Sequence, residues 1–389
     1  MKIHIITGST GFVGRYLTEA LLKKGEIVWV IIRTLHNTSP SERASKIFKK
    51  IRTEYPHSLR IIEGDITLKN LGIKNRIIKE LQVNNTVFWH LAANLSFASE
   101  DREIIKITNI FGTKNVVDFA NTVAKKFVYM STAYVCGDSA TFKESDLFKG
   151  QKFRNNYEKT KIIAEKYVRK NCHLPYTIFR PSIIIGDTYQ GKAKGCTFGY
   201  YRYTFVLYFL KKRILQILQK KNFISFCLRI IGTKYSIHEK ILTIPCLVIP
   251  YPKNGQVNII TIDYIISSML NLYEKESSNL TVHLTHPNSP QYHFMFQAAL
   301  EDIGFKKVKT FPVPAWLFKF IFKSLYFLVP PIRKYMKSAI WYIPYITKNC
   351  QFERQSIKKY GKNPPEIDRE TLKKINSYAK ENILENIKV

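Results

Sequence analysis

The chain has 389 residues, enough for one large or two ordinary domains with a sizeable core and too many for a peptide hormone or small disulfide scaffold. Its 45% apolar and 13% aromatic content excludes a disordered chain, which could not bury enough surface to offset the entropy of folding. With 61 Lys and Arg against 29 Asp and Glu, the net charge of +32 attracts anions: nucleic acid, an anionic membrane face, phosphorylated cofactors or acidic carrier proteins. A second reading of the same charge is genome base composition, since Lys (45) far outnumbers Arg (16) and Ile and Asn are abundant.

In chain order, strand-like apolar runs at 2–7, 27–33, 59–63, 86–92, 127–131 and 176–180 alternate with helical patterns at 13–24, 41–53, 70–81, 104–125 and 157–170. Strictly alternating strands and helices predict βαβ units and a parallel sheet. The apolar run after Lys2 is too short for a signal peptide and enters a glycine-rich turn at once. The six cysteines (136, 172, 196, 227, 246 and 350) form no CxxC pair and no metal-like spacing, so reduced thiols in a cytoplasmic protein and no metal site are expected. His283, His286 and His293 share no helix face and are expected as satisfied polar side chains.

Beyond Gly191 the character changes. Residues 191–260 hold twelve Lys and Arg and a single acid, Glu239, while 303–352 hold nine and no acid. The stretch 205–221 is basic and amphipathic. The stretch 313–331 is as long as a membrane span but carries Lys319 and Lys323 one turn apart. That fits an interfacial helix, or a helix covering a substrate domain, better than a spanning one. The first suits a surface for an anionic partner; the second is expected to pack over the core or a substrate pocket, and membrane contact through both stretches is the alternative.

Thr7-Gly8-Ser9-Thr10-Gly11-Phe12-Val13-Gly14 joins the first strand to the first helix. Glycines at this spacing permit a tight turn, close approach of backbone to a pyrophosphate and tight helix packing, with the free N–H groups of the helix start facing the anion. Gly8, Thr10, Gly11, Phe12, Val13 and Gly14 are therefore candidate cofactor contacts, and the expected class is α/β: a Rossmann-type doubly wound parallel sheet with a smaller, mainly helical C-terminal substrate region. The second strand ends in Arg33 rather than in the acid that holds a free ribose 2′-hydroxyl, which favours a 2′-phosphate and hence NADPH. Arg43 is either a second clamp or an exposed helix arginine. Asp65 and its neighbour Ile66, after the third strand, can meet the adenine, and Ala92 and Ala93 are small enough to let a cofactor cross the strand ends.

Tyr157 and Lys161 stand four residues apart and so share a helix face. A phenol with an ordinary pKa near 10 needs about 4 kcal/mol of differential stabilisation to exchange protons near pH 7. An ammonium about 4 Å away supplies energy of that order. Upstream, the strand ending at Ser131 runs into Thr132, whose hydroxyl can hold a substrate oxygen, and Asn109 adds a polar group able to order a water or the lysine.

Together TGSTGFVG, Asp65, the N-x-x-G-T at Asn109, STAYV and YEKTK resemble the extended short-chain dehydrogenase/reductases. EGDITLKNLGI, HLAANLSF, MSTAYVCG, NYEKTKIIAEKYV, RPSIIIGD and IITIDYI are most similar to the fatty acyl-CoA reductases and terminal thioester reductase domains, over residues 1–285. The resemblance implies a catalytic trio of Thr132, Tyr157 and Lys161, with Tyr157 and Lys161 also touching the cofactor. It places the backbone of Pro181 and Ser182 beside the nicotinamide carboxamide. It implies NADPH-dependent reduction of an acyl-CoA or acyl-carrier-protein thioester to an aldehyde and on to an alcohol. The alternatives are a hydroxysteroid or ketone dehydrogenase, a nucleotide-sugar epimerase, or a nucleic-acid or membrane binder that keeps the fold as a scaffold; no nucleic-acid partner is expected. The expected domains are an NADP-binding one at 1–190, joined by 255–285, and a basic, aromatic region at 191–254 and 286–389.

Overall fold

A computed structural model describes residues 2–35, 37–196, 198–220, 222–245, 247–275, 279–328 and 333–384. Two contact-dense units divide the chain: residues 1–182, 262–287 and 350–364 in the first, and 183–261, 288–349 and 365–389 in the second.

The first unit is built on seven parallel strands, β1 (Lys2–Thr7), β2 (Ile27–Ile32), β3 (Leu59–Glu63), β4 (Asn85–His90), β5 (Lys126–Met130), β6 (Tyr176–Pro181) and β7 (Leu280–Leu284). Their order is β7-β6-β5-β4-β1-β2-β3. Helices cover both faces, so the strands are apolar runs rather than alternating ones, and all six residues of β6 are buried. The order reverses between β1 and β4, where a doubly wound sheet opens a crevice at its strand ends.

The crossover helices are α1 (Phe12–Lys23), α2 (Pro40–Glu54), α3 (Asn75–Gln82), α4 (Gly112–Val123) and α5 (Asn156–Asn171). Local chemistry sets their starts: Ser39 and Glu42 form a reciprocal capping box on α2 with Pro40 in its first turn, and Asn155 caps α5. α3 starts later than periodicity predicts, because Asn70 and Leu71 take positive φ (50° and 56°) in a short 3₁₀ turn. The helical pattern at 104–125 is interrupted by a π-helical stretch, Ile107–Phe111, which contains Asn109. Residues 350–364, expected in the basic region, belong to the first unit: Gln351–Phe352 pairs with Thr141–Phe142, and Ser356 donates from N and Oγ to the buried Glu144 carboxylate.

The second unit contains α6 (Tyr200–Gln219), α7 (Phe223–Ile230), α8 (Ala315–Leu328) and α9 (Arg333–Thr347) beside short strand pairs. α7 packs on α6, α6 on α9 and α9 on α8. No helix among the described residues is long and apolar enough to cross a membrane.

Candidate active site

The glycine turn is forced by space. Gly8 has φ +78°, and a Cβ there would lie 2.5 Å from the Ala92 backbone nitrogen; one on Gly14 would lie 2.2 Å from the Gly8 carbonyl oxygen. The turn thus presses against the residues after β4, and Gly11, at the N-cap of α1, gives no side-chain cap to the first N–H groups of the helix. The hydroxyls of Ser9 beside the turn and Ser182 after β6 are buried without a partner among the described residues. This close-approach backbone with polar groups in reserve fits a dinucleotide.

Two arginines meet the same turn, and a third, Arg33, is tied to one of them through its carbonyl. Arg43 Nη1 donates to the Arg33 carbonyl at 2.5 Å, its Nη2 lies 3.5 Å from Thr10 Oγ1, and Arg15 Nε donates to the Thr10 carbonyl at 2.8 Å. Burial and the neighbouring Arg33 both depress the Arg43 pKa. Arg43 is thus packed against the turn. Arg15 escaped the sequence reading; its signal was a cation in the first turn of a helix, where the dipole disfavours it and another role is called for. Asp65 is tied into its own turn, Oδ1 accepting from the N and Oγ1 of Thr67 at 2.9 Å, with Oδ2 4.0 Å from Arg33.

At the other side of the switch point, α5 is pinned at its start. Asn155 Oδ1 accepts from Glu158 N, and the buried Glu158 carboxylate accepts from Arg154 N and Nη1, both at 2.9 Å. That sets Tyr157 in the first turn, partly exposed, its ring 5.9 Å from that of Phe97. One turn on, the buried Lys161 Nζ donates to the Met130 carbonyl at 2.6 Å and sits 4.3 Å from the centre of the Tyr129 ring. Burial pushes its pKa down to about 7, while Glu165 pulls the other way. The two hydroxyls at the end of β5 part company. Ser131 Oγ donates to Glu165 at 2.7 Å, whereas Thr132 Oγ1 accepts from Tyr134 N and lies 3.5 Å from the Pro181 carbonyl.

Asn109 Oδ1 accepts from Asn94 N, and its two amide hydrogens go to the Asn94 carbonyl and Thr160 Oγ1. These bonds clamp the loop after Ala92 and Ala93 onto α5 and leave one lone pair of Oδ1 as a further acceptor.

Beneath these residues lies an ionic network that the sequence reading missed. Arg180 donates to Glu165 at 2.6 and 3.2 Å and lies 3.2 Å from His283 Nε2, and Arg169 adds a second cation to Glu165. Burial would raise the Glu165 pKa, but Arg180, Arg169 and Ser131 outweigh it and hold the carboxyl below its ordinary value. The available signal was Glu165 itself, one further turn along the face of Tyr157 and Lys161.

Three buried histidines are kept neutral, chiefly by burial: His4 at about 4, His90 and His283 at about 3. His90 bridges Thr7 and Thr113 at 2.8 and 3.0 Å. The unfolded chain takes up protons on these rings from about pH 6.5 downward and the native protein does not, so stability is full above 6.5 and falls as the pH drops toward 3. The expected loss is about 1.4 kcal/mol per pH unit for each ring, or about 4 kcal/mol per unit for three. Denaturant midpoints measured from pH 7.5 to 4.5 check it; a flat profile contradicts the neutral assignment.

Fold and site define a dinucleotide-binding domain of the extended short-chain dehydrogenase/reductase type. The family model described as male sterility protein matches residues 6–228, more than half of the chain, and the protein belongs to that family of NAD(P)-binding domains. It is 29% identical over 232 residues to fatty acyl-CoA reductase wat of Drosophila melanogaster, covering 49% of this chain and 44% of that protein. The chain thus spans less than half the length of that relative. Among solved structures, the terminal R domain of the myxalamid PKS-NRPS pathway superposes with a TM-score of 0.70 at 20% identity, covering 97% of this chain and 90% of that one. UDP-glucuronic acid 4-epimerase from Bacillus cereus, in complex with NAD, gives 0.61 at 18%, covering 98% of each. At these identities the likeness shows the fold.

Proposed function

We propose that this chain is an NADPH-dependent reductase of acyl thioesters, carried on coenzyme A or a carrier protein. The observation that carries the reading is the buried Lys161, one turn after Tyr157 on α5 and bonded to the Met130 carbonyl two residues before Thr132, in a chain whose relatives include fatty acyl-CoA reductases. NADPH would supply a hydride to the thioester carbonyl carbon. Tyr157 donates a proton to the carbonyl oxygen as charge develops there, and Thr132 offers a hydrogen bond to the same oxygen. Lys161 holds the phenol acidic by its positive charge and can reach ribose hydroxyls. The hemithioacetal so formed collapses to thiol and aldehyde, and a second NADPH would supply the hydride, with a proton from Tyr157, that takes the aldehyde to the alcohol.

The cofactor would lie along Gly8, Thr10, Gly11, Phe12, Val13 and Gly14, with Asp65 and Ile66 at the adenine. It would cross Ala92 and Ala93 to reach the backbone of Pro181 and Ser182. Arg33 and Arg43 select the 2′-phosphate. Removing both, as Arg33→Ala with Arg43→Ala, takes away two charge-assisted contacts at about 1.5–3 kcal/mol each. The expected fall in the NADPH-to-NADH ratio of kcat/KM is about a hundredfold to ten-thousandfold, and an unchanged ratio rejects the assignment.

The chain is read as cytoplasmic, working peripherally at a membrane surface where fatty substrates collect. The deciding experiment incubates the protein with NADPH and an acyl-CoA series and follows absorbance at 340 nm. Turnover with some chain length supports the reading; none, together with turnover of a free ketone or epimerisation of a nucleotide sugar, replaces it.

A further inference from the structure

The sequence left 205–221 and 313–331 as candidate surface segments, and the structure separates them. α6, which spans most of the first, is packed inward: Leu207 and Phe209 are buried, and Lys211 Nζ donates to the carbonyls of Lys240 and Ile303. Its exposed positions are polar, Arg213, Gln216 and Gln219. Lys221 and residues 329–331 lie outside the described residues.

The helix between those segments, α7, is inverted relative to an ordinary surface helix. Its one fully buried residue is the polar Ser225, whose Oγ donates to the Leu218 carbonyl, while Phe223 is 79% exposed and Ile224, Phe226 and Ile230 are also open. A helix of this kind leaves in water the side chains that would normally drive its packing. α8 repeats the pattern along one stripe. Trp316, Phe320, Lys323 and Phe327, spaced four, three and four apart, are exposed, while Phe318 on the opposite side is buried against Tyr292 and Phe322.

We infer that the second unit docks on an anionic lipid bilayer, with the apolar faces of α7 and α8 entering the headgroup boundary. Charge selects this occupant. From Lys192 to His238 there is no carboxylate, and the exposed apolar residues of α7 are flanked by Lys220, Arg229 and Lys234. Cations ringing exposed Phe, Ile and Trp match a surface that is negative outside and apolar beneath. A second copy would bring two strongly basic faces together against their own repulsion. An acidic protein partner would use the cations but not the seven large apolar side chains.

The test is sedimentation of the full chain with vesicles of phosphatidylcholine alone or containing phosphatidylserine, at low and high salt. The expected result is binding that needs phosphatidylserine and weakens with salt, with affinity reduced about tenfold or more by Phe223→Ser with Phe226→Ser, and again by Trp316→Ser with Phe320→Ser. An unchanged thermal midpoint shows that these variants are folded. The inference is overturned by no binding to either vesicle, by binding that both pairs of substitutions leave intact, or by a dimer in light scattering that Phe226→Ser dissolves. It stands apart from the proposed activity: a chain that reduces no thioester yet sediments with anionic vesicles leaves it intact.

Discussion

Replacing Tyr157 with phenylalanine is expected to lower kcat for NADPH-dependent thioester reduction by about a hundredfold to ten-thousandfold, the usual weight of a positioned acid. NADPH affinity, read by fluorescence titration, should hardly change, because the pyrophosphate turn and the arginines are untouched. Lys161→Met should lose a similar factor in kcat and also weaken NADPH binding, since its ammonium serves both the phenol and the ribose. The buried lysine sets the pH dependence as well. Burial lowers its pKa to about 7, and the trio works only with the phenol protonated and the ammonium charged, so kcat/KM of the free protein should decline as pH rises through 7. Wild-type turnover by Tyr157→Phe removes the proposed mechanism.

The second large effect concerns stability. Glu165 and Arg180 are both fully buried, 15 residues apart in sequence, and joined by two hydrogen bonds. Removing one partner of such a pair strands the other charge in a poorly solvating interior, at a cost of about 3–5 kcal/mol. Glu165→Gln should therefore lower the thermal midpoint of the first unit by about 6–20 °C. It also removes the charge that supports the Lys161 ammonium, so the alkaline limb of the kcat/KM profile should move to lower pH. A merely structural role would shift the midpoint and leave the limb in place. Because the Glu165 carboxyl is held below its ordinary value, its stabilisation is present above the unfolded pKa and is lost as pH falls through the folded one. In acid the histidine losses therefore come first and the Glu165 loss last.

Much of the nucleotide-binding half was legible because its signals are local. The glycine spacing before α1, the capping box at α2, the alternation of apolar runs with helical periods and the four-residue separation of Tyr157 and Lys161 depend on chain neighbours, and backbone geometry translates them directly. Arg33 at the end of β2 was legible for the same reason.

Other features rest on partners far apart in sequence. The Asn109 amide could serve a water, a lysine or a backbone, and only the folded chain brings the Asn94 backbone and the Thr160 hydroxyl to it. Arg180 and His283 are 103 residues apart, and Glu144 receives Ser356 from 212 residues away. Amphipathic patterns showed that the helices beyond Gly191 have two faces; packing then turned α6 inward and left the apolar side of α7 in water. The sequence alone thus determined which elements form and which chemical groups stand at their ends, since those follow from torsions and neighbours. Tertiary structure alone decided which hydroxyl of Ser131 and Thr132 is consumed by a buried carboxylate and which helices meet solvent, because both depend on what the folded chain brings alongside.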